Sequence, residues 1–177
     1  MLESSERRLI HAARPERFLD HPQQQVSSGA AAGLLATAGL ENFRDRILER
    51  QEDGDADGVL TPEQRRYIAV SDLDGEIGNG GFSQYFMNSS GNEWPDAIAG
   101  FAELGMPKRL AIVKEAIAVF GGNEPSTNRE QRQQQLSRIY RKNEVIFSEM
   151  ENRYYACTES IDACAARYVL AHPDAFR

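Results

Sequence analysis

Leu73-Asp74-Gly75-Glu76-Ile77-Gly78-Asn79-Gly80-Gly81-Phe82-Ser83-Gln84-Tyr85-Phe86-Met87-Asn88-Ser89-Ser90-Gly91 is the stretch on which the fold turns. Its glycines at 78, 80 and 81 stop a helix and permit positive φ, so the chain must bend here. Asn79 tolerates the left-handed region and can cap the helix that follows. Phe82, Tyr85 and Phe86 then fall at i, i+3 and i+4 on one helical face, a pattern that packs into a core. A second reading makes Asn79, Gln84 and Asn88 the lining of a small polar pocket.

Working outward, Thr61-Pro62 opens the preceding helix, with Thr61 as N-cap, Pro62 at the first helical position and Gln64 completing a capping box. That helix is expected to reach about Ile77, and a short one to run from Phe82 to Ser89, ended at Gly91. Pro95 and Gly105 bracket the next, and Pro107 and Gly121 another. A long polar helix is predicted from about Asn128 to Tyr155, followed by a last one capped by Thr158 and closed before His172-Pro173. Upstream, an apolar face runs from about Ala30 to Gln51, while Pro15 interrupts the helical pattern of residues 4–19. No alternating β-branched stretch bounded by hairpin turns occurs. The expectation is all-α: a single-domain compact bundle of about seven to eight helices, with an N-terminal helix and polar connector at 1–27 and the helical domain proper at 28–177.

The 177 residues suit one domain, and 41% hydrophobic with 27% charged residues is a globular composition. Twenty Lys and Arg stand against 27 Asp and Glu, net charge -7, the wrong sign for neutralising nucleic-acid phosphates. Basic partners or cations fit better. No apolar run is long enough to span a membrane and the first residues do not read as a signal peptide, so a cytoplasmic protein is expected. Cys157 and Cys164, read as lying on one helix, would stand about 10 Å apart, beyond disulfide reach. Three scattered histidines make no zinc cluster. No nucleophile with its base and no phosphate-binding loop is visible, so catalysis is not expected.

Acidity concentrates in residues 41–76, where 11 acids and 5 arginines leave a net of -6. Glu41, Asp45 and Glu49 recur at helical spacing, about 6 Å apart. Together with Glu52, Asp72, Asp74 and Glu76 they are candidates for steering a basic partner. Interleaved Arg44, Arg46 and Arg50 support a plainer reading, a solvated face laced with salt bridges. Asp53-Gly54-Asp55-Ala56-Asp57-Gly58 matches positions 1 to 6 of an EF-hand calcium loop. Asp53, Asp55, Asp57, the Val59 carbonyl, Thr61 and Gln64 are the candidate ligands for Ca²⁺. Gln64, however, stands where a bidentate Glu is usual. The alternative is an acidic turn in which Thr61 and Gln64 only cap the next helix.

The elements Asn79-Gly80-Gly81-Phe82, Gln84-Tyr85-Phe86, Asn88-Ser89 and Gly91, following an acidic helix, resemble the bacterial DMP-type DNA mimic protein family over about residues 35–170. The resemblance implies an all-α, dimeric protein whose motif is architectural, without an active site. It further implies acidic side chains standing in place of DNA phosphates on a transcription regulator's DNA-binding face. Residues 125–177, net +1 with eight basic groups, depart from an unbroken acidic face. Two other functions stay open: a helical protein stabilised or regulated by a single calcium loop, and a cytoplasmic immunity-type protein neutralising a toxin.

Overall fold

In the computed structural model, Thr61 starts the first described helix as the sequence predicts. Its hydroxyl accepts from Gln64 N–H at 3.2 Å, and Gln64 Oε1 accepts from Thr61 N–H at 2.9 Å. The structure describes residues 60–122, 124–143 and 145–176. Helix α1 spans Pro62–Met87, a 3-10 turn spans Ser89–Glu93, and α2 (Trp94–Glu103) and α3 (Pro107–Ala118) follow. The chain ends with α4 (Arg129–Tyr140), α5 (Ser148–Tyr155) and α6 (Ile161–Ala171). The described residues form helices and connecting turns, without strands.

The bend expected at the glycines is a kink inside α1, where Gly80 and Gly81 leave helical geometry. Gly81 takes φ 75° and ψ -173°, a conformation essentially reserved for glycine. Asn79 stays helical and is exposed, so the left-handed residue is Gly81. The backbone groups freed by the kink find new partners, as polar groups cut off from water must. Glu151 Oε1 accepts from Phe82 N–H at 2.9 Å, the Tyr155 hydroxyl donates to Ile77 O at 2.6 Å, and Ser83 Oγ donates to Gly80 O at 3.2 Å.

Beyond the kink, Phe82, Tyr85 and Phe86 are buried and form the centre of the core. Phe82 meets Phe147 and Tyr154 with centroids 5.8 and 5.9 Å apart, and Phe86 meets Phe120 at 4.8 Å. Burying an aromatic of this size contributes about 1.5–3 kcal/mol before geometry is considered. Before the kink, α2 lies directly on α1. A Cβ at Gly100 would come within 2.6 Å of Arg66 O, so only glycine lets the two backbones approach this closely.

Three expectations are corrected. The long helix predicted over Asn128–Tyr155 is two helices, α4 and α5, with non-helical segments at 141–143 and 145–147 between them. A straight helix would hold residues seven apart about 10 Å from each other along its axis. Reversing the chain instead brings Tyr140 and Phe147 to 6.1 Å and seats Phe147 against Phe82 and Phe86. The cap of the last helix is Ser160, whose hydroxyl accepts from Ala163 N–H, and Thr158 lies two residues before it. Cys157 and Cys164 do not share a helix: Cys157 follows α5, Cys164 is buried in α6, and both are free thiols.

Candidate functional site

The motif helix and the 3-10 turn after it are folded around one carboxylate. Glu76 lies one turn before the kink, and the kink returns the chain so that its own later residues face back. Gln84 Nε2 donates to Glu76 Oε2 at 2.7 Å, Asn88 Nδ2 to both oxygens at 2.9 and 3.0 Å, and Ser90 Oγ to Oε1 at 2.8 Å. Burial alone would raise the Glu76 pKa, but the donors from Gln84, Ser90 and Asn88 favour the ionised form and hold it below the usual carboxylate range. Among the described residues these hydrogen-bond partners are all uncharged, so Glu76 keeps its full negative charge.

Asn88 links this site to the interior. Its carbonyl accepts from Arg132 Nη2 at 2.6 Å, and the same guanidinium donates to Phe86 O, Ser126 O and Asn92 Oδ1 at 2.6–2.9 Å. Arg132 is fully buried, and burial pushes its pKa down. It serves as a capping group for the end of α1, where the last carbonyls of a helix lack intrahelical partners. Arg129 and Gln133 add to this by donating to Met87 O.

The Tyr85 hydroxyl is buried beside this network without a hydrogen-bond partner. Its pKa rises chiefly through burial; Arg132 opposes this, and the charges of Glu93, Asp72 and Glu76 add to it. Asp72 and Glu76 stand one helical turn apart on α1, and Glu93 ends the 3-10 turn that follows it. Residues 60–103 contain seven acids and two arginines, net -5, whereas 104–177 are net +2.

Asp74 has a different setting. It accepts from Arg109 Nη1 at 3.2 Å and from the Tyr154 hydroxyl at 3.0 Å, and the Arg109 guanidinium lies 4.3 Å from the Tyr154 ring centroid. Glu159 holds this corner by accepting from the backbone N–H groups of Lys108 and Arg109 at the start of α3. Of the candidate partner-binding acids, Asp72 and Glu76 lie one helical turn apart on α1, and Asp74 between them in sequence forms an ion pair with Arg109. Glu41, Asp45, Glu49 and Glu52 lie outside the described residues.

Within the motif, Gln84 and Asn88 converge as the polar reading has it, while Asn79 does not join them. The bonding hydroxyl is Ser90; Ser89 is exposed at the start of the turn, and Gly91 is buried within it. Of the candidate calcium ligands, Asp53, Asp55, Asp57 and Val59 lie outside the described residues. Thr61 and Gln64 are engaged in the capping box, and Gln64 Nε2 also donates to Ala175 O at 2.6 Å. Among the described residues no group of three or more His, Cys, Asp or Glu converges as a metal site, and no helix is long and apolar enough to cross a membrane. Sequence reasoning missed Arg132, Glu151, Arg109 and Ser90. Only Ser90, inside the Asn88–Gly91 run, carried a local signal.

No curated protein and no solved structure matches the chain. The DMP19-like protein family matches residues 59–172, from the start of α1 to the end of α6, and includes the kink, the Glu76 donors and the Arg132 clamp. The chain belongs to the DMP19-like protein family.

Proposed function

We propose that this protein is a non-enzymatic binding module of the DNA-mimic type, whose carboxylates occupy the basic, DNA-contacting face of a transcription regulator. The observation that carries the reading is Glu76. A carboxylate held by an arginine is neutralised, but one held by two amides and a hydroxyl is fixed in place with its charge intact. A DNA phosphate presents the same combination of fixed position and net negative charge. Asp72, one turn from Glu76 along α1, and Glu93, on the adjoining 3-10 turn, extend the negative potential around it. Family membership supports the same reading.

The test is co-purification of the tagged full chain from its native cytoplasm, followed by salt-dependent binding to the retained regulator. Replacing Asp72 and Glu93 together by lysine is expected to weaken binding by more than tenfold and to flatten its salt dependence. A second variant reversing Glu41, Asp45 and Glu49 measures the share of the acids outside the described residues. If both variants bind with unchanged affinity and salt slope, the proposed face is wrong.

A further inference from the structure

Away from the acidic edge, the segment after α3 and the second half of α4 enclose a half-open cleft of about 440 Å³, within the size range of small-molecule sites. Val119, Phe120, Ile139 and Ile146 line it; all four are partly exposed, and Val119, Phe120 and Ile146 pack against the core. Arg138 and Lys142 also line it, four residues apart and both exposed. The side-chain amide oxygens that line it are already engaged. Gln135 accepts from Ser126 N–H and donates to Glu124 O, and Asn143 Oδ1 accepts from Val145 N–H. Among the described residues no carboxylate forms an ion pair with Arg138 or Lys142.

We propose that this cleft binds a medium-chain aliphatic carboxylate, its head between Arg138 and Lys142 and its tail on Val119, Phe120, Ile139 and Ile146. Arg138 is in the last turn of α4 and Lys142 in the turn that follows it, so two like charges line the cleft and an anion bound there would offset their repulsion. The attraction of a helix C-terminus for cations accounts for basic residues at this end of α4. It does not account for an apolar lining beside them. Charge and lining together select an amphipathic anion over a neutral or cationic one.

The probe is decanoate, added below its micellar concentration to the uniformly ¹⁵N-labelled full chain, with 1-decanol and decyltrimethylammonium as controls. Saturable amide shifts confined to residues 119–121 and 138–146 are expected with decanoate. Decanol should bind about tenfold more weakly, and the ammonium should give no saturable shift. The Arg138→Gln/Lys142→Gln variant should lose about tenfold in decanoate affinity and leave decanol binding and the melting temperature unchanged. Absence of saturation, shifts scattered over the whole surface, or decanol binding as tightly as decanoate would each overturn the proposal.

Discussion

Asp74 and Glu76 stand two residues apart on one helix and meet opposite treatment. Asp74 faces α3 and α5, where Arg109 pairs with it and Tyr154 donates to it. Glu76 faces the 3-10 turn, where two amides and a hydroxyl surround it. On the first side charge is cancelled and the contact ties helices together. On the second, charge is preserved and the contact ties the helix to its own continuation past the kink. A count of acids along α1 treats the two residues alike, yet one is paired with a cation and the other is held by uncharged donors alone.

The strongest way to break this contrast is Arg132→Leu. It removes the clamp on Asn88 and leaves the carbonyls of Phe86, Ser126 and Asn88 without their charged donor. A loss of about 4 kcal/mol is expected by chemical denaturation, since buried acceptors stripped of a charged partner are costly. Gly81→Ala comes next. The new Cβ would meet the Glu151 carboxylate and the backbone would be held in a conformation alanine avoids. About 2–3 kcal/mol should be lost, and the Gln84 and Asn88 side-chain amide signals should move as they leave Glu76.

Arg109→Gln attacks the opposite side. Asp74 is 41% exposed, so its ion pair is screened, and the cost should be about 1 kcal/mol, read as a small fall in melting temperature. The Glu76 donors should be untouched, and their amide signals should not move. If they do, the two regions are coupled and the contrast fails.

The smallest effect is the most specific. The Glu76 pKa is lowered on folding from its ordinary value of 4.5, so the folded state binds fewer protons than the unfolded state between the two values. Its contribution is present above pH 4.5 and is lost as pH falls through the folded pKa. Glu76→Gln should therefore flatten the stability curve below about pH 4.5 relative to the parent protein. An identical acid limb in both proteins would mean that the donors do not favour the ionised form.

Much of this architecture was readable in the chain. The capping box at Thr61, the Pro starts of α2 and α3, and the i, i+3, i+4 aromatics after the glycines depend on neighbours within four residues, and all appear in the structure. The α4–α5 break escaped local reading because residues 128–155 carry apolar residues at helical spacing; in the structure the break places Phe147 and Tyr140 on the same aromatic cluster. The site was half legible. Gln84 and Asn88 stood out as polar residues on a buried helix, but their target did not, because Glu76 lies across the kink.

What the sequence by itself determined is the helical class, the position of the bend and the core face of the motif. Glycine conformational freedom and 3.6-residue periodicity are local properties that survive in any packing. Which carboxylate is neutralised and which is left charged was decided only in the tertiary structure. Arg109 reaches Asp74 from 35 residues away, Arg132 clamps Asn88 from 44, and Glu151 caps Phe82 from 69. A charge interacts with what lies near it in space, and those neighbours are set by the packing of distant helices.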